Sequence, residues 1–459
     1  MPGHKRRVQP APGLPASLDV TEVPGMDDLH CAEGILLEAM RRTARLYEAD
    51  RTWYLVNGST CGLLAGIRAL AERGAEVICA RNCHKAVYHA IELAGYRVHW
   101  IMPRLLEDWG ICSGISAGQV ESALRRHPSA KAVILTSPTY EGILSDIEGI
   151  CGVCHKRGIP VLVDEAHGAH LMPASVRAGF PAGAVSAGAD LVVQSPHKTL
   201  PSLTQTALLH MRGNLLDPAL IEAELDIFET SSPSYVLMAS LDGCTGIMRE
   251  QGAELFSLWA RRLKNFDSEI RGKLHSIRIF GHTQEAPRDC VMDPGKILID
   301  VAPIGLTGRE LADILRSRSQ LETEMSGGSL VLAMTSVCDD EEALKRLARA
   351  LRQTETDTVR GHGTAPSPDG PPPAADFHPL VCCTAAEARR QQSEEVPAER
   401  AEGRICAEYL YFYPPGIPFL APGEMITSTV LSYLLREKES GRDIYRHRDG
   451  RESIRCLRE

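Results

Sequence analysis

No stretch of this 459-residue chain approaches the roughly 20 consecutive apolar residues needed to cross a bilayer, which argues against a protein integral to a membrane. No secretory leader precedes the first periodic segments. The 14 cysteines, scattered through a long chain, therefore read as free thiols in a reducing cytoplasm and not as a disulfide framework. A second CxxC is missing as well. Cys151 and Cys154 form a lone pair followed by His155, a haem-attachment-like CxxCH. The surrounding GICGVCHKRGIP has the pattern of a helix end before a strand, so buried helix thiols are expected and no metal site is read here. Basic charge is not in excess: Lys plus Arg number 50 against 59 Asp plus Glu, a net charge of −9. That balance disfavours nucleic acid as the main partner and is compatible with a cationic small molecule. No internal repeat is present.

What the chain does contain is alternation. WYLVNGST, AEVICARNCHK, VHWIMP, KAVILTSPTYEG, IPVLVDEAHGAH and DLVVQSPHK are short apolar runs between residues 50 and 210. Helix-periodic segments separate them at 60–73, 85–95, 118–126 and 149–157. Such alternation predicts βαβ units, hence an α/β fold with a mostly parallel central sheet covered by helices on both faces. Further strands are expected at 208–214, 296–303 and 329–336, with a helix-rich segment from 216 to 274. The predicted organisation is an N-terminal arm (1–50), a large domain (51–275), a smaller α+β domain (276–355), a flexible proline-rich linker (356–378) and a C-terminal domain (379–459). There AAEARRQQ is expected to be helical, and the Pro-Pro-Gly turn is expected to present Glu424 near a cleft.

The chemistry sits where apolar runs end. Leu191-Val192-Val193 reads as a buried parallel strand, so Ser195, His197 and Lys198 follow at its carboxyl end, where open α/β sheets bind ligands. Desolvation there lowers a lysine pKa and frees its amine to attack a carbonyl. Lys198 is thus a candidate for a Schiff base with pyridoxal 5'-phosphate (PLP), the alternative being a solvated loop lysine. Such chemistry also needs a carboxylate on the pyridine nitrogen, a phosphate cradle and a ring-stacking group. Asp164, ending the strand 159–163, suits the first, against a plain helix N-cap. Gly58, Ser59 and Thr60 open a helix whose dipole favours an anion, with Ser195 as a further hydroxyl. A simple cap is the alternative. His84 follows a strand and is a candidate to stack on the ring, the alternative being a structural histidine at a turn, and His167 and His170 stand between the same two readings.

With these residues assembled, the chain resembles the Orn/Lys/Arg decarboxylase family, in its short form without an N-terminal wing domain. The matching segments are PGHK (2–5), DVTEVPGMDDLH (19–30), VNGST (56–60), RNCHK (81–85), TSPTYEG (136–142), VDEAHGAH (163–170), QSPHKT (194–199), TSSPSY (230–235) and YPPGIPFLAPGE (413–424). The resemblance implies fold type I, the aspartate aminotransferase-like PLP fold, and decarboxylation of lysine, arginine or ornithine. It implies Lys198 as the cofactor-bearing amine with His197 beside it, Asp164 at the pyridine nitrogen and His84 on the ring. Ser59, Thr60 and Ser195 would hold the phosphate, and Ala166 and His167 would line the cofactor. Thr230 would reach the phosphate of a neighbouring subunit in a homodimer or larger homo-oligomer, and Glu424 would meet the substrate's distal cation. Arg6-Arg7 after PGHK departs from the family's glycine pair, which bears on subunit contacts by that arm. Aminotransfer or aldol-type cleavage on the same fold, and a non-catalytic regulator, are the competing readings.

Overall fold

The computed structural model describes residues 2–458 apart from 9–10, 15, 284–285, 288–289, 360–379, 413–415, 440–443 and 446–452. Seven strands form the central sheet: β1 (Arg51–Leu55), β2 (Glu76–Ala80), β3 (Arg97–Ile101), β4 (Val133–Thr136), β5 (Val161–Glu165), β6 (Leu191–Gln194) and β7 (Ala207–Met211). Their order is β1-β7-β6-β5-β4-β2-β3, and β7 alone runs against the rest. All residues of β5, β6 and β7 are buried, which is why these segments read as continuous apolar runs.

Helix α1 (Ile35–Tyr47) precedes β1; the crossovers are α2 (Gly58–Arg68), α3 (Lys85–Ala94), α4 (Ala117–Arg126) and α5 (Ile147–His155), and α6 (Pro218–Phe228) follows β7. Local chemistry fixes their ends. Ser116 and Gln119 form a capping box on α4, and Asp146 caps α5 by accepting from the Gly149 amide. Cys151 and Cys154 are buried on α5 as free thiols.

Helix α7 (Tyr235–Ile270) runs 36 residues out of the large domain. Phe256, Trp259, Leu263, Phe266 and Ile270, spaced three or four apart, are buried along one stripe. That stripe packs into a core shared with a four-stranded antiparallel sheet of β8 (Arg278–Ile279), β9 (Lys296–Asp300), β10 (Met325–Gly327) and β11 (Leu330–Met334). Helices α8 (Gly308–Ser319) and α9 (Glu341–Val359) belong to this part. Since α9 continues to Val359, residues 356–359 are helical and not linker; the rest of the expected linker lies outside the described residues. A third core gathers the C-terminal segment, with β12 (Ser393–Pro397), β13 (Leu410–Phe412), β14 (Pro418–Leu420), β15 (Ile444–Tyr445), β16 (Ser453–Leu457) and α10 (Ser428–Glu439). Helix in AAEARRQQ is limited to Ala385–Ala388. Among the described residues, no helix is long and apolar enough to cross a membrane.

Candidate active site

Five parallel strands deliver their carboxyl ends to one place. Ser59 comes from the turn after β1, Asn82 and His84 from the turn after β2, and Thr136 and Tyr140 from the end of β4. Asp164, Ala166 and His167 follow along β5, and Lys198 follows β6. Together with Glu324 and Ile417 they line one cavity of about 160 Å³. A parallel sheet concentrates its loops at this edge, which is the reason the motifs converge. A larger cleft of about 540 Å³ lies between His30, Trp53 and Glu229, and no lysine lines it.

Lys198 sits in the helical turn Pro196–Thr199, half-buried, with Nζ 2.9 Å from Nε2 of His167. Burial pulls its pKa down from the ordinary value, opposed by the charges of Asp164 and Glu324. Asp164 is 4% exposed and occupies the strand itself, so the N-cap alternative does not apply. Among the described residues its carboxylate accepts one hydrogen bond, from the Ala166 amide at 3.2 Å, and burial raises its pKa despite Lys198 nearby. A buried carboxylate so weakly satisfied suits a cationic partner.

His84 is fixed by its own helix. Its Nδ1 accepts from the Ala86 amide at 3.2 Å as the cap of α3, which leaves the hydrogen on Nε2. Desolvation, aided by Lys198 and Lys85, holds its pKa near 4. The neutral ring can serve as a flat surface. His167 is also neutral, because burial and two flanking lysines push its pKa far below the ordinary value. His197 donates from Nδ1 to the Thr206 carbonyl at 2.9 Å, and it does not line the cavity.

An anion cradle is present. Helix α2 begins at Gly58 without a side-chain cap, so its first amides are free to bind a negative group. Gly58 has φ +78°, which an L side chain rarely adopts. Of the eight buried side-chain polar atoms lacking a partner among the described residues, Asn82 Oδ1 and Thr136 Oγ1 belong to residues lining this cavity, and Ser195 Oγ and Thr199 Oγ1 lie in or next to the short helical turn that carries Lys198. Unsatisfied groups gathered at a cleft point to a polar ligand. A lysine with a lowered pKa, an unpaired buried carboxylate, a flat neutral ring and an anion cradle fit PLP part by part.

Six anticipated residues do not line the cavity: Gly58, Thr60, Ser195, His197, Thr230 and Glu424. Thr60 is exposed and does not line the cavity. Thr230 accepts at its carbonyl from His30 Nε2, 2.9 Å away, and is likewise outside it. Glu424, expected to meet a substrate's distal cation, does not line this cavity. Glu424 is 2% exposed and receives both Arg81 Nη1 at 2.7 Å and Nη2 at 2.9 Å, so its charge is already spent inside the protein. Tyr413, Pro414 and Pro415 of its motif lie outside the described residues. The residues that sequence reasoning missed are Tyr140, Glu324 and Lys296. Tyr140 donates to Glu324 Oε1 at 2.8 Å, and Lys296 Nζ lies 2.9 Å from His167 Nδ1.

Comparison with known proteins agrees with this geometry. The profile of the Orn/Lys/Arg decarboxylase major domain matches residues 15–290, and that of the family's C-terminal domain matches residues 379–444. The chain is 31% identical over 457 residues to an arginine decarboxylase of Bacillus subtilis, covering 96% of this chain and 90% of that protein. It is 32% identical over 478 residues to an arginine decarboxylase of Halalkalibacterium halodurans, covering 100% and 93%. Identity to the constitutive lysine decarboxylase of Escherichia coli is 25%, over 91% of this chain and 70% of that one. Two solved structures share the fold. Lysine decarboxylase A from Pseudomonas aeruginosa does so at TM-score 0.78 and 21% identity, over 96% of this chain and 74% of that one. The ureidoglycine-glyoxylate aminotransferase of Bacillus subtilis does so at TM-score 0.57 and 15% identity, over 75% and 89%. With both of its family profiles matched in order and a fold type I cavity built to suit PLP, the chain belongs to the Orn/Lys/Arg decarboxylase family and is a PLP-dependent decarboxylase.

Proposed function

We propose that this enzyme removes the α-carboxylate of L-arginine, yielding agmatine and CO2, in the cytoplasm. The observation carrying the reading is the convergence of Lys198, Asp164, His84 and the uncapped start of α2 on one cavity. The relatives named arginine decarboxylase, at 31% and 32% identity, support arginine over lysine, whose named relative stands at 25%. When bound, PLP supplies the electron sink for the charge left at Cα as CO2 departs. Lys198 would be the residue to hold the cofactor through Nζ, and the same amine would be placed to move a proton at the substrate's Cα. Asp164 would keep a proton on the ring nitrogen, and His84 would offer its flat face to the ring. Ser59, Ser195 and the α2 amides bind the phosphate. In a dimer, Thr230 would add a hydroxyl to the phosphate site of a second copy.

Glu324 takes the role once read for Glu424. Besides Asp164 it is the carboxylate lining the cavity, and only its Oε1 is engaged by Tyr140. A guanidinium or ammonium at the far end of the substrate would meet it. Glu324→Gln should therefore raise KM for arginine far more than it lowers kcat. An unchanged KM would remove Glu324 from substrate recognition.

The deciding experiment supplies arginine, lysine and ornithine labelled in the carboxyl carbon, and follows CO2 and the amine product. Highest kcat/KM for arginine is expected; a preference for another amino acid would overturn the substrate. Borohydride reduction of the holoenzyme should leave a pyridoxyl adduct on the Lys198 peptide, and Lys198→Ala should release no CO2. An adduct on another lysine would overturn the site.

A further inference from the structure

Lys296, the first residue of β9, is fully buried, and among the described residues no carboxylate lies within 4.0 Å of its ammonium nitrogen. Buried lysines are rare unless something uses them. Its Nζ instead contacts Nδ1 of His167 at 2.9 Å and the Met334 sulfur at 3.1 Å. Its path is built in: Gly142 has φ +104°, and a Cβ there would stand 2.7 Å from Lys296 Cβ and Cγ. On the other side of the same imidazole, Nε2 lies 2.9 Å from Lys198 Nζ. Two amines thus flank one ring.

The hydrogen count restricts this arrangement. A neutral imidazole has one N–H and one lone pair, and an ammonium can only donate. Two ammonium groups cannot both bond to one neutral ring, so if one lysine donates, the other must accept through an uncharged amine. The carboxylates facing each lysine decide between them. Asp293 precedes β9, Glu324 precedes β10 and Glu141 follows β4, and all three favour charge on Lys296. Lys198 faces Asp164, which the cofactor's ring nitrogen would claim, and shares Glu324.

We propose that Lys296 is a positioning residue for decarboxylation: as an ammonium donating to His167 Nδ1, it fixes the ring with hydrogen on Nε2, which donates to Lys198 and keeps that amine neutral. This rests on Lys198 being the cofactor-bearing amine. A neutral amine is what Lys198 would need to bond again to the cofactor's carbon as the product amine leaves it. Burial, partly offset by Asp293 and Glu324, lowers the Lys296 pKa to about 8, so the ammonium persists at neutral pH and is lost above it. The Lys198 amine and the neutral rings of His84 and His167 are the remaining titratable groups packed around Lys296.

The test combines kinetics with proton location. The wild-type kcat profile should show a basic limb near pH 8, and Lys296→Met should lose that limb. Its kcat at pH 7 should fall about tenfold, the effect of moving a pKa by about one unit, with KM little changed. Lys296→Gln, whose amide can still donate to Nδ1, should recover most of the rate without restoring the limb. A basic limb unchanged in Lys296→Met, or Met and Gln variants indistinguishable in rate, would overturn the proposal. Neutron diffraction of the wild-type holoenzyme gives an answer independent of any variant: a deuteron is expected on His167 Nε2, and one on Nδ1 would refute the assignment. Borohydride trapping separates the two failures. An adduct away from Lys198 would sink the site reading, whereas an adduct on Lys198 with a variant profile like the wild type would sink only the role of Lys296.

Discussion

Replacing Glu424 by glutamine isolates what the Arg81–Glu424 pair does. The side chains are 7% and 3% exposed, and the carboxylate also accepts from the Ala421 amide at 2.8 Å. The guanidinium donates to the Phe419 carbonyl at 3.1 Å and lies 4.8 Å from the Trp100 ring. Removing one charge leaves Arg81 buried without a counter-charge, a loss of roughly 3–5 kcal/mol. With a urea slope of about 3 kcal/mol/M for the domain that unfolds first, the midpoint should fall by about 1 M or more. The double variant Arg81→Met, Glu424→Leu removes both charges and should recover most of that loss, because a buried pair replaced by apolar groups is often neutral. Urea unfolding followed by circular dichroism, run beside steady-state kinetics, reads both quantities. KM for arginine should change little in whatever fraction stays folded. A wild-type urea midpoint together with a large rise in KM would refute the reasoning and return Glu424 to the substrate.

Ser195→Ala should weaken PLP binding by roughly 10- to 150-fold, the value of about 1.5–3 kcal/mol for a hydrogen bond to a charged group, and titration of apoenzyme with PLP measures it. The same change should leave the apoprotein as stable or more so, because Ser195 Oγ is buried without a partner. His210 donates through Nε2 to Gln194 Oε1 at 3.1 Å and accepts at Nδ1 from the Thr52 hydroxyl at 2.8 Å, and full burial holds its pKa near 3. The unfolded chain binds this proton near 6.5 and the folded chain only near 3, so stability should be lost as pH falls through that window. His210→Gln should flatten the dependence of the urea midpoint on pH; an identical slope in both proteins would assign acid sensitivity to other groups.

Much of the site was legible because parallel strands announce themselves. Val161 to Val163 and Leu191 to Val193 are β-branched or leucine runs that end abruptly in polar residues, and those polar residues are Asp164, Ser195 and Lys198. Periodicity located α2, α3, α4 and α5 to within a few residues. Lys296 was not legible, because it stands at the front of a buried strand. Its neighbour in space, His167, is 129 residues away in sequence, and only tertiary packing brings β9 to the edge of the large sheet. Glu324 precedes β10 with no motif around it. The Arg81–Glu424 pairing was not legible for a similar reason: Arg81, 343 residues earlier, opens the RNCHK segment, and a basic residue at the end of a buried strand signals a counter-charge without saying which one.

Neither ring beside the cavity is free to gain charge in mild acid: His84 stays neutral down to about pH 4, and His167 titrates lower than its usual range. His197, outside the cavity wall, is shifted in the same direction. Proton traffic is left to amines. A modest drop in cellular pH across about 6 to 7, where exposed imidazoles respond, would thus pass over the catalytic machinery without altering its protonation. Turnover in a slightly acidified cell would then track substrate supply, without a switch at His84 or His167 to throttle it.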